Sequence, residues 1–402
     1  MPKTDALIIN TCIVLLAVSP AFALGEGNRN LLLIGAMLLA PVILLRYPVI
    51  IKKIDIPLTV LMFCMIAFPL AFHPETMRWS TVLYSCMFGL NFMAFARILY
   101  FRIYTSEDFT RLLEYLIYAY GTVFLIQQFC VLTGLPIFNV SNYSPEEPWK
   151  LNSLMSEPSH AARVISLLMY LFILNKKQID PDYTFQESWT TSRYVWLAYF
   201  WMVLTMGSST VFIFTVIVFA QFFNPRKILK TVLPILTVLF LVFTFSENKS
   251  VKRVQNIVSA MVTLDEKKII KADHSASFRI VPTLQGARFI GSSSLNDWFG
   301  YGVDADAGLI KPLPTVKYGN AGAFYMWVNF GLITAILYWT FSFSIIFIRK
   351  NPSSALLWFF LIFMYGGVNN QIIWLTLTLL FTHKKISGDR TAAAVMDKES
   401  YR

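Results

Sequence analysis

The stretch "LNSLMSEPSHAARVISLLMYLF", Leu151 to Phe172, begins polar, passes through Glu157, Pro158, His160 and Arg163, and ends in a run apolar enough for lipid. Comparable runs recur from end to end of the chain, at the roughly 17 to 25 residues an α-helix needs to cross a hydrocarbon layer. Composition agrees: 56% of residues are hydrophobic, 16% are aromatic and only 14% are charged, a balance that would leave a soluble domain apolar on every face. The expected fold class is an all-α polytopic membrane protein.

About 12 transmembrane helices are predicted, centred on 7 to 24, 30 to 45, 56 to 72, 79 to 100, 113 to 133, 158 to 175, 193 to 206, 209 to 224, 229 to 246, 320 to 348, 353 to 367 and 370 to 383. The seventh and eighth share a tight Gly207-Ser208-Ser209 turn. Short cytoplasmic loops should be rich in Lys and Arg. With the amino terminus inside, Lys52, Lys53, Arg97, Arg102, Lys176, Lys177, Arg226, Lys227, Arg349 and Lys350 fall on the inner side, and only Arg29, Arg78, Lys150 and Arg163 on short outer segments. Both termini are then cytoplasmic. "VSPAFALG", Val18 to Gly25, has the A-x-A spacing of a secretory cleavage site. Losing that first span would leave an odd number and break the charge alternation, so it is expected to be retained.

Cys12, Cys64, Cys86 and Cys130 all lie in predicted spans, as small apolar residues. The net charge of +11 flanks spans on the cytoplasmic side, which makes membrane lipids the partner of the basic residues, with no nucleic acid. No repeat or linker divides residues 1–402, which read as a single integral-membrane domain.

Polar residues concentrate in two long outer loops, about 134–157 and 247–318. In "SVKRVQNIVSAMVTL", Val251, Val254, Ile257, Val258, Met261 and Val262 share one helical face, the pattern of an amphipathic helix on the membrane or capping the bundle. "SASFRIVPTLQGARFI" follows as a second helix, capped by Ser275, interrupted at Pro282 and carrying Arg279 and Arg288. "DWFGYGVDADAGLI" supplies Gly300 and Gly302 for a tight turn where backbone can approach a ligand. Asp304, Asp306 and Gly308 hint at a calcium loop, but its twelfth position would be Thr315 where Glu is needed. Of the four His residues no pair has ligand spacing with a nearby acid, so no metal and no cofactor are expected.

In the opening stretch Pro158 suits the first helical turn, which puts Glu157 at or next to the cap. His160 and Arg163 then lie three residues apart on one face. One reading is a capped helix with an Arg that snorkels to headgroups. The other, favoured for the triplet together, is a functional site, since ionisable groups at a span entrance are costly and tend to face a polar cavity.

"SEPSHAAR" resembles the Glu-Pro-Ser-His element of bacterial O-antigen and exopolysaccharide repeat-unit polymerases of the Wzy type, in the O-antigen polymerase/ligase superfamily. "FRIVPTLQGARFIGSSSLNDWFGYGVD" is similar to that superfamily's long-loop pattern of an Arg and a later Gly-x-Gly turn. "GNAGAFYMWVNFGLITAILYW" is similar to the following span, with a polar start at Asn320 and a Gly in mid-helix. The related ligases usually carry a His just before that Asn. Here the pair is Gly319-Asn320, a departure that points toward a polymerase.

The resemblance implies a GT-C-like fold in the bacterial cytoplasmic membrane, with an active site facing the periplasm or cell exterior. It implies an undecaprenyl-diphosphate-linked oligosaccharide as substrate, a glycosyltransferase reaction that moves the growing glycan onto a new lipid-linked repeat unit, and a chain-length regulator as a further partner. Such chemistry needs cations for the leaving diphosphate and a base for the acceptor hydroxyl. Arg279, Arg163 and Arg288 are the diphosphate-binding candidates, because the guanidinium fork binds phosphate oxygens in pairs. Gly300, Gly302 and Asn320 are substrate-binding candidates. His160 and Glu157 are the catalytic candidates. A helix amino terminus favours carboxylate and disfavours imidazolium, which makes His160 the preferred base and Glu157 the group that orients it or the sugar.

Two alternatives stand beside this one. An O-antigen ligase would move glycan to a lipid A core or another acceptor. A lipid-linked oligosaccharide flippase would handle similar substrates, although the chain lacks the midplane charge and two-fold repetition of many transporters.

Overall fold

The computed structural model describes residues 2–22, 30–139, 143, 145–206, 208–222, 259, 263–272, 274–313 and 318–400. Among these the chain is all-α. The predicted ninth span, 229 to 246, nearly all of the amphipathic segment 251 to 262, and Gly207 lie outside the described residues.

The membrane-type helices follow the apolar runs. They are α1 (Pro2–Val18), α2 (Leu31–Leu38), α3 (Ala40–Arg46), α4 (Lys52–Phe72), α5 (Trp79–Phe101), α6 (Ser106–Thr133) and α7 (Pro158–Ile179). After the short α8 (Phe185–Thr191) come α9 (Arg193–Thr205) and α10 (Ser209–Ala220). The loop region supplies α11 (Glu266–Ala272), α12 (His274–Ala287), α13 (Leu295–Phe299) and α14 (Asp306–Leu309). The chain closes with α15 (Tyr325–Ile346), α16 (Ser353–Leu361) and α17 (Gln371–Ser400). Among the described residues, five helical stretches are long and apolar enough to cross a membrane: Thr4–Phe22, Lys52–Phe72, Trp79–Phe101, Ser106–Thr133 and Gly322–Ile346.

Local chemistry sets the boundaries. Thr105 caps α6 by accepting from the Asp108 amide at 3.1 Å, so the helix begins seven residues before the expected span at 113. Gly134, at φ 71°, ends it in a left-handed conformation that costs glycine little. α17 runs on to Ser400, well past the apolar limit at 383.

α7 is the axis of the fold. Every residue from Ala161 to Asn175 is buried, and the helix packs against α6, α9, α10 and α17. A helix enclosed on all sides needs no polar face. Its inward polar groups find partners: Asn175 Nδ2 donates to Ser106 O at 2.7 Å and Thr110 Oγ1 at 2.6 Å.

At the basic end of the bundle two of the inner-side arginines are held in ion pairs. Arg97 is buried against Asp55 at 3.1 Å and also donates to Val49 O at 2.7 Å, while Arg102 pairs with Asp5. A buried charge held at the join of α4 and α5 needs a counter-ion more than it needs lipid.

Candidate functional site

The segment before α7 is folded into the protein. Leu151, Asn152, Ser153, Leu154 and Met155 are all buried, and a buried loop must find partners for its backbone. Gln127, fully enclosed on α6, supplies them. Its Nε2 donates to Phe138 O at 2.8 Å and Asn152 Oδ1 at 3.0 Å, and its Oε1 accepts from the Ser153 amide at 2.8 Å. Asn139 Nδ2 donates to the carbonyls of Ser153 and Met155 at 2.8 and 2.7 Å.

This loop delivers Glu157 to the cap position of α7, as the sequence predicts. The capping role does not follow: the carboxylate makes no hydrogen bond to the free amides of the helix. It accepts instead from Ser159 Oγ at 3.3 Å and lies 3.8 Å from His160 Nε2. The other imidazole nitrogen, Nδ1, lies 3.0 Å from Ser156 Oγ.

Arg163 does not snorkel. It is 9% exposed, and its guanidinium sits over the Tyr365 ring, 4.1 Å from the centroid. Its Nε has no hydrogen-bond partner, and no acid among the described residues pairs with it. The His160 ring lies 6.0 Å from the same Tyr365 ring. Tyr365 thus joins the candidate base and a candidate cation. It ends a single 3-10 turn, Phe363–Tyr365, and no sequence pattern marked it. The available signal was Arg163 itself, because an Arg in an apolar helix requires an acid or an aromatic face somewhere.

The loop region meets this site through backbone contacts. The 3-10 turn Gly322–Phe324 packs against both the Phe363–Tyr365 turn and α12. A Cβ on Gly286 would come within 2.4 Å of Ala321 O, and the Ala323 amide donates to Thr283 Oγ1 at 3.2 Å. Arg279 stands one helical turn before Thr283 on the same face of α12. Asn320 is exposed and accepts from the Gly322 amide at 2.6 Å, which shapes this turn.

Several expectations change here. α12 runs unbroken through Pro282, and it starts at His274, so Ser275 falls inside the first turn. Proline removes its own N–H and crowds the carbonyl four residues before it, and the packing of Thr283 and Gly286 against the 321–323 backbone braces the helix just after it. Arg288 lies in the turn after α12, 70% exposed at its side chain and paired to Glu266 at 2.6 Å. Gly300 and Gly302 do adopt left-handed φ values of 92° and 108°, but what they bring close is the chain itself, main chain at Gly300 and the Thr76 and His73 side chains at Gly302. A Cβ on Gly300 would lie 2.4 Å from Asn329 O, at the point where Gly331 (φ 85°) breaks α15. Tyr301 N donates to Val328 O at 2.8 Å across this join.

The acids of the same loop are also occupied. Asp304 accepts from Arg78 at 3.1 Å, Thr81 Oγ1 at 2.8 Å and Tyr325 Oη at 3.3 Å, which uses the oxygens a calcium ion would need. Burial pushes the Asp306 carboxyl up, against the Ala321 N–H that reaches it at 3.1 Å. Asp297 is held below the usual carboxylate range, chiefly by the Ser294 amide in a capping box.

Neither a scan against protein-family models nor a search of curated proteins returns a match for this chain.

Proposed function

We propose that the chain is a polysaccharide polymerase that transfers a growing undecaprenyl-diphosphate-linked glycan onto a new lipid-linked repeat unit at the outer face of the cytoplasmic membrane. In this reading the described helices belong to a twelve-span, GT-C-like bundle, and the α7 amino terminus faces outward. The observation that carries it is Arg163: a buried guanidinium with an aromatic face on one side and no acid among the described residues is a cation kept for an anion that arrives from outside.

The reaction assigns each group a task. The acceptor hydroxyl oxygen attacks the anomeric carbon, its proton passes to His160, and the bond from that carbon to the diphosphate oxygen breaks. The electron pair leaves with the diphosphate, whose growing charge Arg163 and Arg279 stabilise. Glu157, 3.8 Å from His160 Nε2, supports the imidazolium that forms. The Gly319-Asn320 pair, where ligases usually carry His-Asn, favours the polymerase.

Purified protein in vesicles, supplied with synthetic lipid-linked repeats, tests the reading. A ladder of lengthened lipid-linked chains is expected. Transfer only to a lipid A core would make the protein a ligase, and movement of the lipid-linked sugar across the vesicle with no new bond would make it a flippase.

A further inference from the structure

We infer that α13 inserts its Leu295 and Trp298 side chains into the bilayer, at the boundary of headgroups and acyl chains in the leaflet that meets the Phe72 end of α4. The loop after α12 is then a membrane-docking element, whatever reaction the protein performs.

The polarity of α13 is inverted for a helix that faces water. Leu295, Trp298 and Phe299 share one side of it, and Leu295 is 66% and Trp298 40% exposed. The polar residues between them turn toward the protein. Asp297 is buried, its carboxylate accepting from the Ser293 and Ser294 amides at 3.0 and 2.9 Å, and Asn296 Oδ1 lies 3.1 Å from His73 Nε2. A surface helix in water shows its charged and polar side outward and its apolar side to the core. Trp298 exposes its ring while its Nε1–H donates to Ser292 O at 3.0 Å, so the indole can enter lipid without an unpaired donor. From Phe289 to Val303 the sequence carries no charged residue except the buried Asp297.

α4 sets the depth. Its 21 residues rise about 31 Å, close to the thickness of the hydrocarbon layer, so Phe72 marks one edge of that layer. The Phe299 ring stacks on Phe72 at 4.4 Å and meets Phe68 edge-on at 5.0 Å. Phe68 lies one turn, about 6 Å, inside the edge. On α4 itself Ile56, Val60, Phe63 and Leu70 are exposed at helical spacing, the stripe that such a span turns to lipid. α13 is therefore fastened by Phe299 to a lipid-facing helix, at the depth where amphipathic helices bury their apolar side about 5 to 10 Å. Trp79, 48% exposed at the first turn of α5, stands at the same end of the bundle, as interfacial tryptophans do.

Depth-dependent quenching tests this on the full chain. Leu295→Cys and Trp298→Cys are each made with Cys12, Cys64, Cys86 and Cys130 replaced by Ala, labelled with a nitrobenzoxadiazole thiol probe and placed in vesicles of phosphatidylethanolamine and phosphatidylglycerol. Phe63→Cys on the α4 stripe gives the lipid standard. Glu75→Cys, in the turn beyond α4, gives the aqueous one. Both α13 probes should emit to the blue of the Glu75 standard and lose more intensity to a lipid nitroxide near the acyl carbonyl than to one at the chain end, with little loss to iodide. Iodide quenching equal to that of the Glu75 standard overturns the inference. Shielding from iodide and nitroxide alike would mean that a second copy or another protein covers this side, and overturns it too. A measurement that keeps the native cysteines uses tryptophan emission: brominated lipids should quench a component that is lost in Trp298→Phe, and a quenchable component undiminished in that variant overturns the inference even if the cysteine-free protein does not fold.

Discussion

Replacing Arg163 by Met separates a functional cation from a structural one, because the two roles predict stability changes of opposite sign. A buried charge lacking a counter-ion carries a desolvation penalty of several kcal/mol, and the Tyr365 face at 4.1 Å returns up to about 2 kcal/mol of it. Met keeps much of the volume and removes both terms. The substitution should therefore leave folding unchanged or strengthen it by roughly 1 to 3 kcal/mol, the balance of those terms. Activity should move the other way, by a factor on the order of 10² to 10³, the size of effect seen when one donor to a developing negative charge is lost. Thermal unfolding of the purified protein gives the first quantity, and gel ladders of lipid-linked product give the second. Arg163→Lys serves as control: it keeps the charge, loses the planar fork and should recover little activity. An Arg163→Met protein that melts well below wild type, with activity falling only in step with the folded fraction, would show the guanidinium to be a packing element and refute the reasoning.

The remaining predictions concern other parts of the site. His160→Ala should abolish polymer while the protein still inserts and accumulates, and Glu157→Gln should impair it severely; polymer of normal length and amount from both, read from gel ladders, would return the triplet to a structural role. Arg279→Lys should accumulate single lipid-linked repeats at normal protein abundance, since an ammonium cannot reproduce a bidentate contact; near-normal chain length would remove that role. Asp297→Asn should lower thermal stability at pH 7. The native carboxyl titrates below its unfolded value of about 3.9, so its contribution is present above that pH and lost as the pH falls through the depressed folded value. The gap between the two melting curves should close in acid, and a gap that stayed constant would point to packing instead.

Helix positions were legible because lipid-length apolar runs are the strongest periodic signal a sequence carries, and α4, α5, α7 and α9 lie close to the expected bounds. The start of α6 was missed because its first turn is polar, and only the Thr105 cap marks it. At the site, spacing alone placed Glu157, His160 and Arg163 together, since they follow one another at three-residue intervals over the start of one helix. Tyr365 and Gln127 were not legible. Each reaches the site across a long sequence separation, and neither has a local pattern that sets it apart from the other aromatics and amides of the spans. The Arg288 pairing was not legible for a related reason: proximity to Arg279 in sequence says nothing of Glu266, which meets it in space.

The join between the loop and α15 bears on how relatives of this protein can be recognised. Gly300 and Gly331 face one another so closely that a methyl group on Gly331 would lie 2.2 Å from Trp298 O and 2.6 Å from Gly300 N, while one on Gly300 would meet Asn329 and Phe330 backbone. A side chain on either cannot be accommodated by trimming the other, because both are already at the minimum and the obstacle is main chain. Any chain that keeps this join is therefore expected to keep glycine at both positions. "WFG" and "NFG", read together at that separation, are then the sequence mark by which the join would be recognised in another chain.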